Sequence, residues 1–198
     1  MRVLVTGVNG QLGHDVMNEL AARGHEGIGS DLAPTYAGVS DGTAVTHMPY
    51  VSLDITDRAN VLKEIRSIRP DAVIHCAAWT AVDLAEDEDK EDKVRAINAF
   101  GTQNIADACK ETDSKMLYLS TDYVFDGQGT EPWKPDCKDY KPLNVYGKTK
   151  LEGELAVSST LEKFFIVRIA WVFGLDEVVS VHTKNPGNTH DKKFLQGT

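Results

Sequence analysis

Cysteine is scarce in this chain, and the three present, Cys76, Cys109 and Cys137, are odd in number and far apart. They form neither a redox pair nor a zinc-type spacing, so no disulfide framework or thiolate metal centre organises the fold. Cys76 lies in an apolar run and Cys109 on an apolar helix face, which makes both packing residues. Long apolar runs are missing as well. No stretch approaches the roughly 20 apolar residues that cross a bilayer, and MRVLVTG enters a strand-like run with no signal-peptide pattern. Cytoplasm is the expected compartment. Positive charge is in deficit, with 21 Lys and Arg against 30 Asp and Glu, a formal net charge of −9. That argues against nucleic acid or an anionic membrane as the main partner, since both require a basic surface. An anionic ligand stays open, because backbone N–H groups hold phosphate without net positive charge.

What the chain has is alternation. Its 198 residues suffice for one good-sized domain, or for one domain and the start of another. Strand-like runs fall at 2–6, 26–30, 50–53, 72–77, 116–120 and 164–169. Helical patterns lie between them: Leu12, Val16 and Leu20; then Val61, Leu62, Ile65 and Ile68, capped by Thr56 or Asp57 and stopped at Pro70. A third runs through Val94, Ile97, Ile105 and Cys109, with the acidic tract 85–93 as its solvated first turns, and a fourth covers 144–157. Such alternation predicts an α/β fold, a Rossmann-type doubly wound parallel sheet. The Gly- and Pro-rich stretch 126–142 is long for a connection, and such loops are often functional.

Between the first strand and first helix stands Gly7-x-x-Gly10-x-x-Gly13. The first glycine permits a tight turn, the second lets a pyrophosphate approach the backbone, and the third lets helix and strand pack closely. The helix N-terminus adds free N–H groups and a positive dipole end. Gly7, Asn9, Gly10, Gln11, Leu12 and Gly13 are therefore candidate dinucleotide contacts. Asp31, at the end of the second strand, is placed to bond the adenosine ribose and to repel a 2′-phosphate, which leans the cofactor toward NADH over NADPH. Asp54 and Ile55 are candidates for the adenine edge, with a helix-cap role open for Asp54.

Residues four apart on a helix are neighbours, so Tyr146 and Lys150 share a face. Downstream of a dinucleotide loop, and with Ser120-Thr121 ending a strand, that pair resembles the extended branch of the short-chain dehydrogenase/reductase superfamily. STDYVFDG at 120–127, NVYGKTKLEGE at 144–154, HCAAWTAVDLAE at 75–86 and RIAWVFG at 168–174 narrow the resemblance to the dTDP-4-dehydrorhamnose reductase family. It covers residues 1–174, expected as the NAD(P)-binding domain with the Tyr–Lys pair. Residues 175–198 are expected as a short remnant of a truncated or incomplete C-terminal substrate lobe, or an irregular tail.

The resemblance implies reduction of the C4 ketone of dTDP-4-dehydro-L-rhamnose to dTDP-L-rhamnose. Tyr146 would protonate the oxygen, Lys150 would lower the phenol's pKa and bond the nicotinamide ribose, and Thr121, or the adjacent Ser120, would polarise the carbonyl. Ala77, Ala78 and Asn98 would join the cofactor site, Asn98 holding Lys150 through water. Thr80, Val82, Thr121, Tyr123, Tyr146 and Trp171 would face the nucleotide-sugar, with Trp79 in a stretch that lines the same pocket. His75 reads as a satisfied core histidine. No metal site carries over, although Mg²⁺ accompanies some relatives, and a homodimer is compatible. Two other readings stand beside this one. A nucleotide-sugar epimerase shares the Tyr–Lys pair, and the regulatory subunit of methionine adenosyltransferase keeps similar motifs without turnover. A dehydratase is disfavoured, because Tyr123 stands where that branch has a glutamate.

Overall fold

A computed structural model gives the fold and describes residues 1–172. Six parallel strands form one sheet: β1 (Arg2–Thr6), β2 (Glu26–Asp31), β3 (Tyr50–Ser52), β4 (Ala72–His75), β5 (Lys115–Thr121) and β6 (Phe164–Ile169), in the order β3-β2-β1-β4-β5-β6. The order reverses between β1 and β4, and ligands of open α/β sheets bind in the crevice at the carboxyl end of that switch point. The expected doubly wound sheet is thus present. Helices α1 (Gln11–Ala22), α2 (Arg58–Ile68), α3 (Glu91–Arg95), α4 (Thr102–Thr112) and α5 (Val145–Thr160) connect the strands. Among the described residues, no helix is long and apolar enough to cross a membrane.

Strand alternation sorts the core onto two faces. Leu4 of β1, Val73 of β4, and Met116 and Tyr118 of β5 pack with Val61, Ile65, Ile105 and Val157 beneath α2, α4 and α5. Val3 and Val5 point the other way, onto Met17 and Leu20 of α1 and Val45 of the loop after β2. Each fully buried aliphatic side chain contributes about 1.5–3 kcal/mol relative to exposure. On this second face, Phe165 and Val167 of β6 stay exposed.

Local signals explain the helix boundaries. Asp57 caps α2 by accepting from Asn60 N at 3.0 Å, which resolves the choice between Thr56 and Asp57. Arg69 ends that helix in the left-handed conformation, just before Pro70. Gly24, at φ +70°, follows α1 in the position where glycine commonly terminates a helix.

The acidic tract differs from expectation. Asp83–Glu86 forms a 3₁₀ turn, and α3 begins only at Glu91. Ala85 is buried and Glu86 reaches the start of α5, so tertiary contacts take these residues out of the helix. The helix then widens into a π turn over Ala96–Gly101 before α4, a feature common at functional sites. The segment expected at 175–198, and the end of the RIAWVFG motif, lie outside the described residues.

Candidate active site

The three glycines of the loop do three different things. Gly7 sits at φ +74°, and a Cβ there would lie 2.6 Å from the backbone nitrogen of Ala77. Gly13 lets α1 rest on the loop, since a Cβ would stand 2.3 Å from the Gly7 carbonyl. At Gly10 a Cβ would meet only that same carbonyl, at 3.4 Å, so the space before the helix is clear. Gly10 is also the N-cap of α1 and offers no side-chain cap. The first-turn N–H groups, on Gln11, Leu12 and Gly13, have no intrahelical partners by geometry. A clear cradle and free donors fit a pyrophosphate.

Asp31 stands beside this cradle and holds it. Its carboxylate accepts from Asn9 N at 3.0 Å and from Leu32 N at 2.7 Å, while Asn9 Oδ1 accepts from Ala37 N. Ala77 and Ala78 follow β4, half-buried, with Ala77 N donating to Thr6 Oγ1. The adenine-edge candidates separate: Asp54 is exposed and accepts from the Thr56 backbone and hydroxyl. Ile55 is buried in the core, and a Cβ at Gly101 would collide with it at 2.8 Å.

Across the switch point, β5 delivers Thr121 and α5 delivers Tyr146 and Lys150. Thr121 is buried, accepts from Tyr123 N at 3.2 Å and donates to Asp122. Ser120 Oγ, by contrast, is buried without a partner. Tyr146 packs edge-on against Tyr123, with ring centroids 5.7 Å apart. Burial raises its phenol pKa, Thr121 draws it down by hydrogen bonding, and Asp122 and Tyr123 raise it further.

This corrects the expected lowering by Lys150. The ammonium donates to the Leu119 carbonyl at 2.6 Å and lies 4.2 Å from the centre of the Tyr118 ring. Lys150 is 3% exposed, and burial lowers its pKa to about 7, so its own charge is at risk near neutrality.

Asn98, on the π turn, spends its side chain elsewhere than on Lys150. It accepts from Trp79 N at 2.8 Å and donates to Trp79 O and Thr149 Oγ1. The Trp79 turn is thereby tied to α5. Thr80 is exposed beside that turn and Val82 is half-buried. Tyr123 is half-exposed, while Trp171 is 75% exposed. His75 is buried between Thr6 and Thr102, bonded through both ring nitrogens at 2.7 and 3.2 Å. Thr102 already donates to Asn98 O, so His75 Nε2 carries the proton toward it. Burial, with Lys150 nearby, lowers the His75 pKa to about 3 and keeps it neutral.

Several contributors escape a reading of motifs. Glu86, in the acidic tract, accepts from Val145 N at 2.6 Å, while Asn144 caps the same helix by accepting from Gly147 N. Gly147 brings α5 against the Tyr123 carbonyl, where a Cβ would sit at 2.3 Å. Arg168 of β6 forks onto Glu154 of α5 at 2.8 and 2.7 Å. Asn144 is recognisable as a cap type before a helical run. The partners of Glu86 and Arg168 carry no local signal. No group of three His, Cys, Asp or Glu suited to a metal occurs among the described residues.

A family model described as the RmlD substrate binding domain matches residues 1–185. The chain belongs to that family. A dTDP-4-dehydrorhamnose reductase of Streptomyces griseus is 40% identical over 174 residues, covering 87% of this chain and 50% of its own length. Among solved structures, a dTDP-4-dehydrorhamnose reductase of Clostridium acetobutylicum superposes with a TM-score of 0.76 at 38% identity, over 89% of this chain and 55% of the other. The Bacillus anthracis dTDP-4-dehydrorhamnose reductase in complex with NADP gives 0.73 at 37% identity, over 87% and 54%. The chain thus spans about half the length of the RmlD relatives it matches.

Proposed function

We propose that this chain carries the dinucleotide cradle and the proton donor of an RmlD-type reductase, one that converts the C4 ketone of dTDP-4-dehydro-L-rhamnose to dTDP-L-rhamnose. The observation that carries the reading is a convergence. The glycine cradle after β1 and the Thr121–Tyr146–Lys150 group at the end of β5 open at the same carboxyl edge of the sheet. The likeness to named reductases over 87% of the chain supports the substrate class. Residues 1–174 would be the dinucleotide-binding domain, and 175–198 would belong to the substrate side.

A bound nicotinamide dinucleotide supplies the hydride. Gly7–Gly13 and the start of α1 would hold its pyrophosphate and Asp31 its adenosine ribose. Asp31 through Tyr50 contains no Lys or Arg. A 2′-phosphate would meet a carboxylate and no cation from that segment, which supports NADH. At the ketone, charge gathers on oxygen as hydride arrives, and Thr121 and Tyr146 would donate to it. A phenol whose pKa is raised by burial stays protonated and is ready to give its proton to an alkoxide. Tyr146 would then be recharged from solvent, and Lys150 would bond the nicotinamide ribose.

The test follows NADH and NADPH absorbance with dTDP-4-dehydro-L-rhamnose. Wild type should oxidise NADH in preference, and Tyr146→Phe should lose about 10²- to 10⁴-fold in rate, the range for a general acid. NADH binding without oxidation would sink the reductase reading for this chain and favour a non-catalytic binding role.

A further inference from the structure

The stretch between Phe125 and Lys141 links the strand end that carries Thr121 to the helix that carries Tyr146, leaving Thr121–Val124 and returning just before Asn144. Among the described residues, Arg168 of β6 reaches it from another element. All five N–H groups of Arg168 have an acceptor: Nε and Nη2 bond Glu154, Nη2 also reaches Tyr140 Oη at 2.9 Å, and Nη1 points at the carbonyls of Cys137 and Pro135 at 3.3 and 3.5 Å. The guanidinium carbon lies 5.2 Å from the ring centres of both Phe125 and Tyr140, and Phe125 stacks on Trp133 at 4.5 Å. Lys141 N closes the base of the loop onto the Val124 carbonyl. Glu154 is 2% exposed, so this is an anchored pair and not a surface contact.

We propose that Arg168, seated on Glu154, is a positioning residue: by fixing the 125–141 loop it sets the first turn of α5, and with it Tyr146, against Thr121. The side-chain chemistry requires arginine. Five donors in a planar fork meet two carboxylate oxygens, a phenol and two carbonyls at once, while lysine offers three donors from one point. The effect on catalysis rests on the reductase reading; the effect on the loop does not.

The experiment compares wild type, Arg168→Lys and Tyr140→Phe in the full chain. Tyr140→Phe removes one loop-side acceptor and leaves the Glu154 pair intact, so it is informative even where Arg168→Lys folds poorly. Amide hydrogen exchange is read separately for 125–141 and 2–31. Arg168→Lys should exchange about tenfold faster in the loop, with 2–31 unchanged. In ketone reduction it should lose about 30-fold in kcat at unaltered NADH affinity, since small misplacements cost that much. Tyr140→Phe should move both readings the same way by about threefold. A folded Arg168→Lys whose loop exchanges like wild type overturns the inference, as does a loosened loop with full kcat. Where wild type turns nothing over, the reductase reading fails by itself. Exchange and the Tyr146 titration by ¹³C-tyrosine NMR then decide the inference: both move with Arg168→Lys if it holds, and neither moves if it does not.

Discussion

The two halves of the candidate site are built from different materials. On the β1–β2 side the backbone does the work: Gly7 and Gly13 bring main chain against main chain, and the donors on offer are N–H groups of α1. On the β5–β6 side long side chains do it, with Arg168 forked onto Glu154, Lys150 laid over Tyr118, and Tyr146 edge-on to Tyr123. A backbone-built site has few adjustable parts and suits a constant group such as pyrophosphate. A side-chain-built site can be retuned one residue at a time, which suits the variable group. The contrast predicts that lesions on one side should spare the other.

The largest effect is expected from Glu154→Ala. It leaves the Arg168 guanidinium, 18% exposed, without its carboxylate, and breaking one partner of a buried pair costs about 3–5 kcal/mol. Thermal denaturation measures it. NADH affinity of the folded fraction should hold within about twofold, because sites without shared contacts act independently. Loss of NADH binding in step with stability would break the contrast.

His75, on β4 at the seam of the two halves, gives a pH signature. Its folded pKa of about 3 lies below the ordinary 6.5, so the unfolded chain takes up the proton first as pH falls. Its contribution is complete above pH 6.5 and lost progressively toward pH 3, with a limiting slope of about 1.4 kcal/mol per pH unit. His75→Gln should flatten that part of the acid limb relative to wild type. Parallel limbs in the two proteins would mean that His75 is not held neutral.

Gly13→Ala sharpens the contrast from the other side. The added methyl would stand 2.3 Å from the Gly7 carbonyl, and overpacking of this kind costs about 1–3 kcal/mol. The loop must shift, so NADH affinity should fall by more than about tenfold while the 125–141 loop keeps its exchange protection. Wild-type affinity in a folded Gly13→Ala would deny the cradle its role.

The same difference in material decides what was legible in the sequence. The backbone-built half announces itself, because the glycine spacing, the strand before it and Asp31 after it are local features that one turn geometry ties together. Tyr146 and Lys150 were legible too, being one helical turn apart. The partners of the side-chain half are remote. Arg168 meets the loop and α5 only once β6 pairs with β5, and Glu86 meets Val145 only when the acidic tract leaves its helical course. Composition suggests a solvated helix there, and tertiary contact overrides it. Likewise the Tyr–Lys spacing speaks of mutual tuning, whereas burial raises the phenol and the ammonium donates to the Leu119 carbonyl.

The smallest effect bears on which half owns α5, since that helix carries Tyr146 and also packs on the π turn that fixes Trp79. Asn144 caps it through Gly147 N at 2.7 Å, and Glu86 satisfies Val145 N independently. Asn144→Ala should therefore cost about 1 kcal/mol, the ordinary value for one cap. Asn144→Ala with Glu86→Ala should exceed the sum of the single changes, because each cap steadies the same turn in the other's absence. Stability measured across the four proteins gives the coupling, and kcat alongside NADH affinity gives its meaning. A fall in kcat at constant affinity assigns the start of α5 to the side-chain-built half. A parallel fall in affinity would make it a joint of both, and the division into backbone and side-chain halves would end at Asn144.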